Sequence, residues 1–192
     1  MENPKNELIS KILEYRRLRR HKVNSKYPQS GAKQNDPAKT QTCIEKGRLF
    51  ESYVVKKFDP DYFTLIEWRS DKCVDDIYPV MSLFPDLEFY FQSTCESAQI
   101  AVECKWREHF FKNGFEIEGH KLENYFRYQE IMGIPTFLII GIGNSPTNPD
   151  AVYTIPLSEI KKPFIHEFEL EVYRKKNITE NFFLHCSKLI LF

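Results

Sequence analysis

Apolar positions along the chain change period several times, and each change marks an element. Between residues 6 and 20, Leu8, Ile9, Ile12, Leu13, Tyr15 and Leu18 recur at roughly helical spacing, which predicts an amphipathic helix. Residues 23–42 lose that pattern to Ser, Pro, Gly, Gln, Asn and Lys, and have little to bury; they are expected to form a linker. A regular pattern resumes at about Cys43. Leu49, Phe50, Tyr53 and Val54 make the apolar face of a helix over Ile44–Phe58, which Asp59-Pro60 terminates. Tyr62–Trp68 has strand character, and Leu83–Phe91 and Gln99–Trp106 read as two further strands joined by a polar turn. Arg69–Met81, with Asp71, Asp75 and Asp76, is expected to be loop, as is the charged and aromatic stretch Arg107–Gly119. Leu122, Tyr125, Phe126, Gln129 and Met132 return to helical spacing, closed by Gly133. The apolar run Thr136–Ile142 fits a strand buried on both faces, and Ala151–Ile155 a further one. Pro156–Ile160 suggests a capped helical turn, and Phe164–Tyr173 and Phe182–Leu191 predict two closing strands.

Helix, three strands, helix and two strands is a mixed α/β order. A crossover helix requires the strands on either side of it, 99–106 and 136–142, to run parallel, while the short links before it imply antiparallel neighbours. The expected architecture is a mixed central β-sheet flanked by helices over residues 43–192. An N-terminal basic helix and linker, residues 1–42, would precede it.

Charge changes this picture more than composition does. The 192 residues balance 27 Lys and Arg against 27 Asp and Glu. Residues 1–48 nevertheless carry twelve cations and five anions, leaving the remainder acidic. Arg16, Arg17, Arg19, Arg20 and Lys22 form the densest cluster. A basic arm ahead of an acidic body suits a polyanion such as nucleic acid, and equally a solvated helix C-terminus favoured by cations. No apolar run has the length of a membrane span, and five scattered cysteines without CxxC spacing fit a reducing compartment; a cytoplasmic protein without a membrane partner is expected. The five histidines show no ligand pairing, so no zinc site is assigned.

The candidate chemistry lies in Phe84–Trp106. Asp86 follows Pro85 at the start of one strand, and Glu103 and Lys105 alternate onto one face of the next. Charges among Ile100, Ala101 and Val102 are costly to bury without a purpose. Two carboxylates offer hard oxygen ligands to Mg²⁺ or Mn²⁺, and the carbonyl of Cys104 could complete the protein's share. The Cys104 side chain should face the other side of the sheet, as core.

Pro85-Asp86 followed by Glu103-Cys104-Lys105 resembles the signature of the PD-(D/E)XK nuclease superfamily, the restriction-endonuclease-like enzymes. The resemblance spans roughly residues 44–155 and implies a restriction-endonuclease-like core. It also implies metal-dependent hydrolysis of DNA phosphodiester bonds, with Asp86, Glu103 and Lys105 catalytic. An acid on the preceding helix belongs to the pattern and is matched by Glu51 in Gly47-Arg48-Leu49-Phe50-Glu51. Glu51 would share a metal or hold a metal-bound water. The following helix often supplies a glutamine and, one turn later, a tyrosine; here the spacing gives Lys121 and Tyr125.

Residue by residue, other readings stay open. Glu103 and Lys105 could be a surface ion pair on an edge strand, Glu51 a solvated helix acid, and Lys121 and Tyr125 a surface cation and a core aromatic. Phe110, Phe111 and Phe115 could stack on bases beside Arg107 and Lys112 or pack the loop down, and packing is expected. The partner would be DNA, with RNA left open, gripped by the basic arm. The closing strands could pair two copies into a homodimer or complete the sheet. A non-catalytic nucleic-acid-binding or scaffolding protein on a nuclease-like fold is the alternative function.

Overall fold

A computed structural model describes residues 37–69, 84–185 and 190–191, with side chains from residue 43 to 185. The basic cluster Arg16–Lys22 and the loop acids Asp71, Asp75 and Asp76 lie outside them.

Five strands form one mixed sheet: β1 (Phe63–Trp68), β2 (Leu87–Gln92), β3 (Ser97–Arg107), β5 (Thr136–Ile142) and β6 (Ala151–Pro156), in that spatial order. β1, β2 and β3 are antiparallel neighbours, β3 and β5 are parallel, and β6 returns antiparallel. This is the mixed, helix-flanked arrangement expected from the element order. β3 is the middle strand, and its register sets Glu103 beside Leu138 and Lys105 beside Ile140.

Helices cover both faces. α1 (Pro37–Lys56) begins inside the stretch expected to be linker. Proline suits a first helical turn because its missing N–H has no partner there. Phe50 and Val54 of α1 and Phe58 beyond it bury against Leu87, Phe89, Val102 and Cys104. α2 (Gly119–Met132) crosses the opposite face, with Leu122 and Tyr125 over Leu138 and Ile140, and Tyr128 and Met132 over Ala101. Gly133 ends α2 at φ 67°, and its N–H returns to the Gln129 carbonyl.

The stretch expected to be loop at 107–119 holds a short strand, β4 (Gly114–Glu116), that pairs with β7 (Phe164–His166). Lys112 and Asn113, at φ 51° and 56°, make the two-residue turn that closes Phe111 onto Gly114. Phe115 is buried and Phe110 packs on Tyr153, as expected of a packed loop, but Phe111 is 58% exposed.

Two closing elements differ from expectation. Phe164–Tyr173 alternates like a strand, yet only Phe164–His166 is one; α3 (Glu167–Leu170) and a 3-10 turn (Glu171–Tyr173) follow. Glu169 reaches back to accept the His166 N–H at 2.9 Å, and this local cap outweighs the alternation. The second, Phe182–Leu191, is divided into β8 (Leu184–His185) and β9 (Ile190–Leu191), which pair with each other antiparallel. No helix among the described residues is long and apolar enough to cross a membrane.

Candidate active site

The sheet brings Asp86, Glu103 and Lys105 together. Asp86 occupies the turn just before β2, and its Oδ2 accepts the Cys104 backbone N–H at 2.8 Å. Glu103 and Lys105 project from β3 as an ion pair on the α2 side. Tyr125 of α2 donates its hydroxyl to Glu103 Oε1 at 2.5 Å, the same oxygen that takes Lys105. Glu103 Oε2 is buried and has no hydrogen-bond partner among the described residues. With β3 central and Glu103 only 3% exposed, the pair is not a surface ion pair on an edge strand.

Burial, then Glu103 and Glu51, push the Asp86 carboxyl well above the usual carboxylate range, against the opposing pull of Lys105 and the Cys104 N–H. Burial alone would lower the Lys105 ammonium, but Glu103, Tyr125 and Asp86 hold it well above the usual lysine range. Burial and Glu103 likewise raise the Tyr125 hydroxyl, which therefore stays a donor. Cys104 is buried against the α1 core, and burial followed by Asp86, Glu51 and Glu103 raises its thiol. That thiol is a core group, in keeping with strand alternation.

Glu51 stands on α1 with Oε2 accepting Trp68 Nε1–H at 2.8 Å, so β1 fixes its direction. Lys121 is half-exposed and lies 3.5 Å from Glu118. Glu51, Asp86, Lys105 and Lys121 line one open cleft of about 660 Å³, together with Lys46 and Arg107. Lys46 reaches over the Trp106 ring and pairs with Glu108 at 2.5 Å.

Sequence reasoning missed Glu88. It is buried on β2, directly opposite Ala101, and binds Arg69, Tyr128 and Gln99. Its signal was its phase: residues 86, 88 and 90 alternate together, and Tyr128 follows Tyr125 by one helical turn.

Carboxylate oxygens are the hard donors that a divalent ion takes. The Asp86 carboxyl feels both Glu103 and Glu51, with Lys105 as the opposing cation. The unpaired Glu103 Oε2 is buried, and Glu103 lies beside Leu122, Tyr125 and Leu138 rather than in the lining of the cleft. Among the described residues, no group of three or more His, Cys, Asp or Glu side chains is arranged to hold a metal. Mg²⁺ does not require such a cage, since it commonly takes one or two carboxylates and keeps its waters.

No protein-family model matches the chain, and no curated protein matches its sequence. Among solved structures, the chain is similar to a Holliday junction resolvase from the archaeal hyperthermophile Archaeoglobus fulgidus. The two are 15% identical, the match covers 66% of this chain and 88% of the resolvase, and the TM-score is 0.45.

Proposed function

We propose that this protein is a metal-dependent nuclease that hydrolyses phosphodiester bonds in DNA, with Asp86, Glu103 and Lys105 as its catalytic core. The observation that carries the reading is a buried acid, Glu103, paired on the central strand with Lys105, which lines the cleft together with a second acid, Asp86.

Asp86 and Glu103, with the Cys104 carbonyl, would hold Mg²⁺ or Mn²⁺. Bound there, the ion would polarise the phosphate and acidify a nucleophilic water. Lys105, kept protonated by its carboxylate neighbours, is suited to stabilising charge on a phosphoryl oxygen rather than to abstracting a proton. Tyr125 fixes the orientation of Glu103 through its short hydrogen bond. Glu51, whose Oε2 accepts from Trp68, would share the metal or hold a metal-bound water. Lys46, Arg107 and Lys121 at the cleft wall would take flanking phosphates. The basic arm Arg16, Arg17, Arg19, Arg20 and Lys22 would hold the duplex backbone beyond them.

The test is cleavage by the purified full chain with Mg²⁺ or Mn²⁺, on supercoiled, linear, branched and single-stranded DNA and on RNA. At least one DNA form should be cut, and Glu103→Gln and Lys105→Ala should each slow the cut by about 10²–10³-fold. The reading is lost if a clean preparation cuts none of these, or if Glu103→Ala cuts as fast as the parent. Tight DNA binding without cutting would instead favour a non-catalytic binding protein on this fold.

A further inference from the structure

We propose that Arg69, Glu88 and Tyr128 form a buried clamp that fixes the main chain of Asp86, making them positioning residues of the site. This rests on the phosphodiester-hydrolysis reading of Asp86.

Glu88 on β2 is 2% exposed, yet every described contact of its carboxylate is made by a donor. Oε1 takes the Arg69 guanidinium and the Tyr128 hydroxyl, and Oε2 takes Gln99 Nε2 at 3.2 Å. A buried carboxylate engaged at both oxygens is a structural anion, not a spare metal ligand. Arg69, one residue past β1, lies against the rings of Phe84 and Tyr128, 5.4 and 5.9 Å from their centroids. Its Nη1 donates to the Pro85 carbonyl at 3.0 Å. Its backbone N–H donates to the Asp86 carbonyl at 2.7 Å.

Three independent hydrogen bonds therefore converge on the Pro85-Asp86 turn: two from Arg69 to consecutive carbonyls, and one from the Cys104 N–H to the Asp86 carboxylate. The bond to the Pro85 carbonyl needs the guanidinium where Glu88 and the two rings hold it, while the main-chain bond to Asp86 needs only the path of residue 69. A buried ion pair contributes little net stability over well-packed apolar residues, but it does restrict its partners to one geometry. A metal-binding carboxylate needs that restriction, because a loose supporting shell leaves a site present but misaligned. α2 extends the same logic. One helical turn carries Tyr125 to Glu103 and Tyr128 to Glu88, so a single helix position sets the donor for the site acid and for the clamp acid.

The Cys104 amide reports the position of Asp86 without metal or substrate. The experiment follows its ¹⁵N–¹H shift and hydrogen exchange in the labelled, metal-free full chain. Asp86→Ala gives the signature of losing the acceptor. Arg69→Lys and Tyr128→Phe should move the Cys104 amide towards that signature and speed its exchange about tenfold, with the Leu138 and Ile140 amides of β5 unchanged. In cleavage assays of the same variants, the half-saturating Mn²⁺ concentration should rise about tenfold, with most of the rate recovered at saturation. The clamp is refuted if the Cys104 amide is unmoved in both variants, or if all sheet amides accelerate alike, which would mean only a weakened fold. Should Arg69→Lys not fold, Tyr128→Phe decides, since it removes one hydroxyl and keeps the packing. If the parent cuts no nucleic acid, the hydrolysis reading falls while the amide still decides whether the clamp holds Asp86.

Discussion

Replacing Gly141 by alanine tests how α1 is seated over the site. A Cβ at residue 141 would lie 2.2 Å from Cε2 of Phe50 and 2.6 Å from its Cζ. Carbon atoms pack at about 3.5–4.0 Å, so the new methyl and the ring cannot both keep their places. Phe50 has no exposed surface and no solvent side to swing towards. Forcing a methyl into a close-packed core costs about 1–3 kcal/mol. For a chain of this size that lowers Tm by roughly 2–12 °C. Glu51 follows Phe50 directly on α1, so a displaced helix also moves Glu51 relative to Asp86. Cleavage by Gly141→Ala should therefore fall at temperatures where the variant is fully folded. Phe50→Leu removes the overlapping ring edge, and combining it with Gly141→Ala should recover part of the loss. Thermal melts of the parent, the two single variants and the double variant complete a double-mutant cycle, with a favourable coupling of at least about 0.5 kcal/mol expected. Penalties that simply add would refute the direct overlap of residue 141 with Phe50.

Two other outcomes follow from charge. The Asp86 carboxyl is raised in the folded, metal-free protein by burial and by Glu103, so its contribution to stability is fully present below its unfolded-state value. It is lost as pH rises through the raised value. Asp86→Asn keeps an oxygen for the Cys104 N–H and should make the metal-free protein more stable at about pH 8, by about 1.4 kcal/mol per unit of raise. Urea midpoints that match the parent from roughly pH 4 to 9 would count against this. Lys46 and Glu108 form an exposed pair, so Lys46→Ala should change stability by less than about 0.5 kcal/mol. If Lys46 meets a phosphate, the slope of log affinity for DNA against log salt should drop by about 1, and an unchanged slope removes it from the DNA path.

The parallel pair β3 and β5 and the antiparallel run β1, β2, β3 were legible because periods 2 and 3.6 alternate between residues 44 and 155 and the crossover rule dictates which pair runs parallel; the place of β6 was not. The approach of Asp86, Glu103 and Lys105 was legible for the same reason: it depends on strand alternation and one turn. The Glu88 clamp was not. Arg69, Glu88, Gln99 and Tyr128 come from four separate stretches of the chain, and the phase of Glu88 with Asp86 marks a shared face without fixing which donors meet it there. The helical turns after His166 were also hidden, because Glu167, Glu169 and Glu171 alternate with apolar residues as in a strand. Only the reach of Glu169 to the His166 N–H identifies the cap. The fit of Phe50 over Gly141 depends on tertiary packing that neither residue's neighbours in sequence announce.

The hydrogen bond from the Arg69 N–H to the Asp86 carbonyl has a consequence for how the chain can vary. It extends the β1–β2 ladder one step beyond the Trp68–Leu87 pair. Both of its atoms belong to the main chain, so every residue except proline, which lacks the N–H, can make it at position 69. What the guanidinium adds at that position is therefore separable from what ties the end of β1 to the residue before β2.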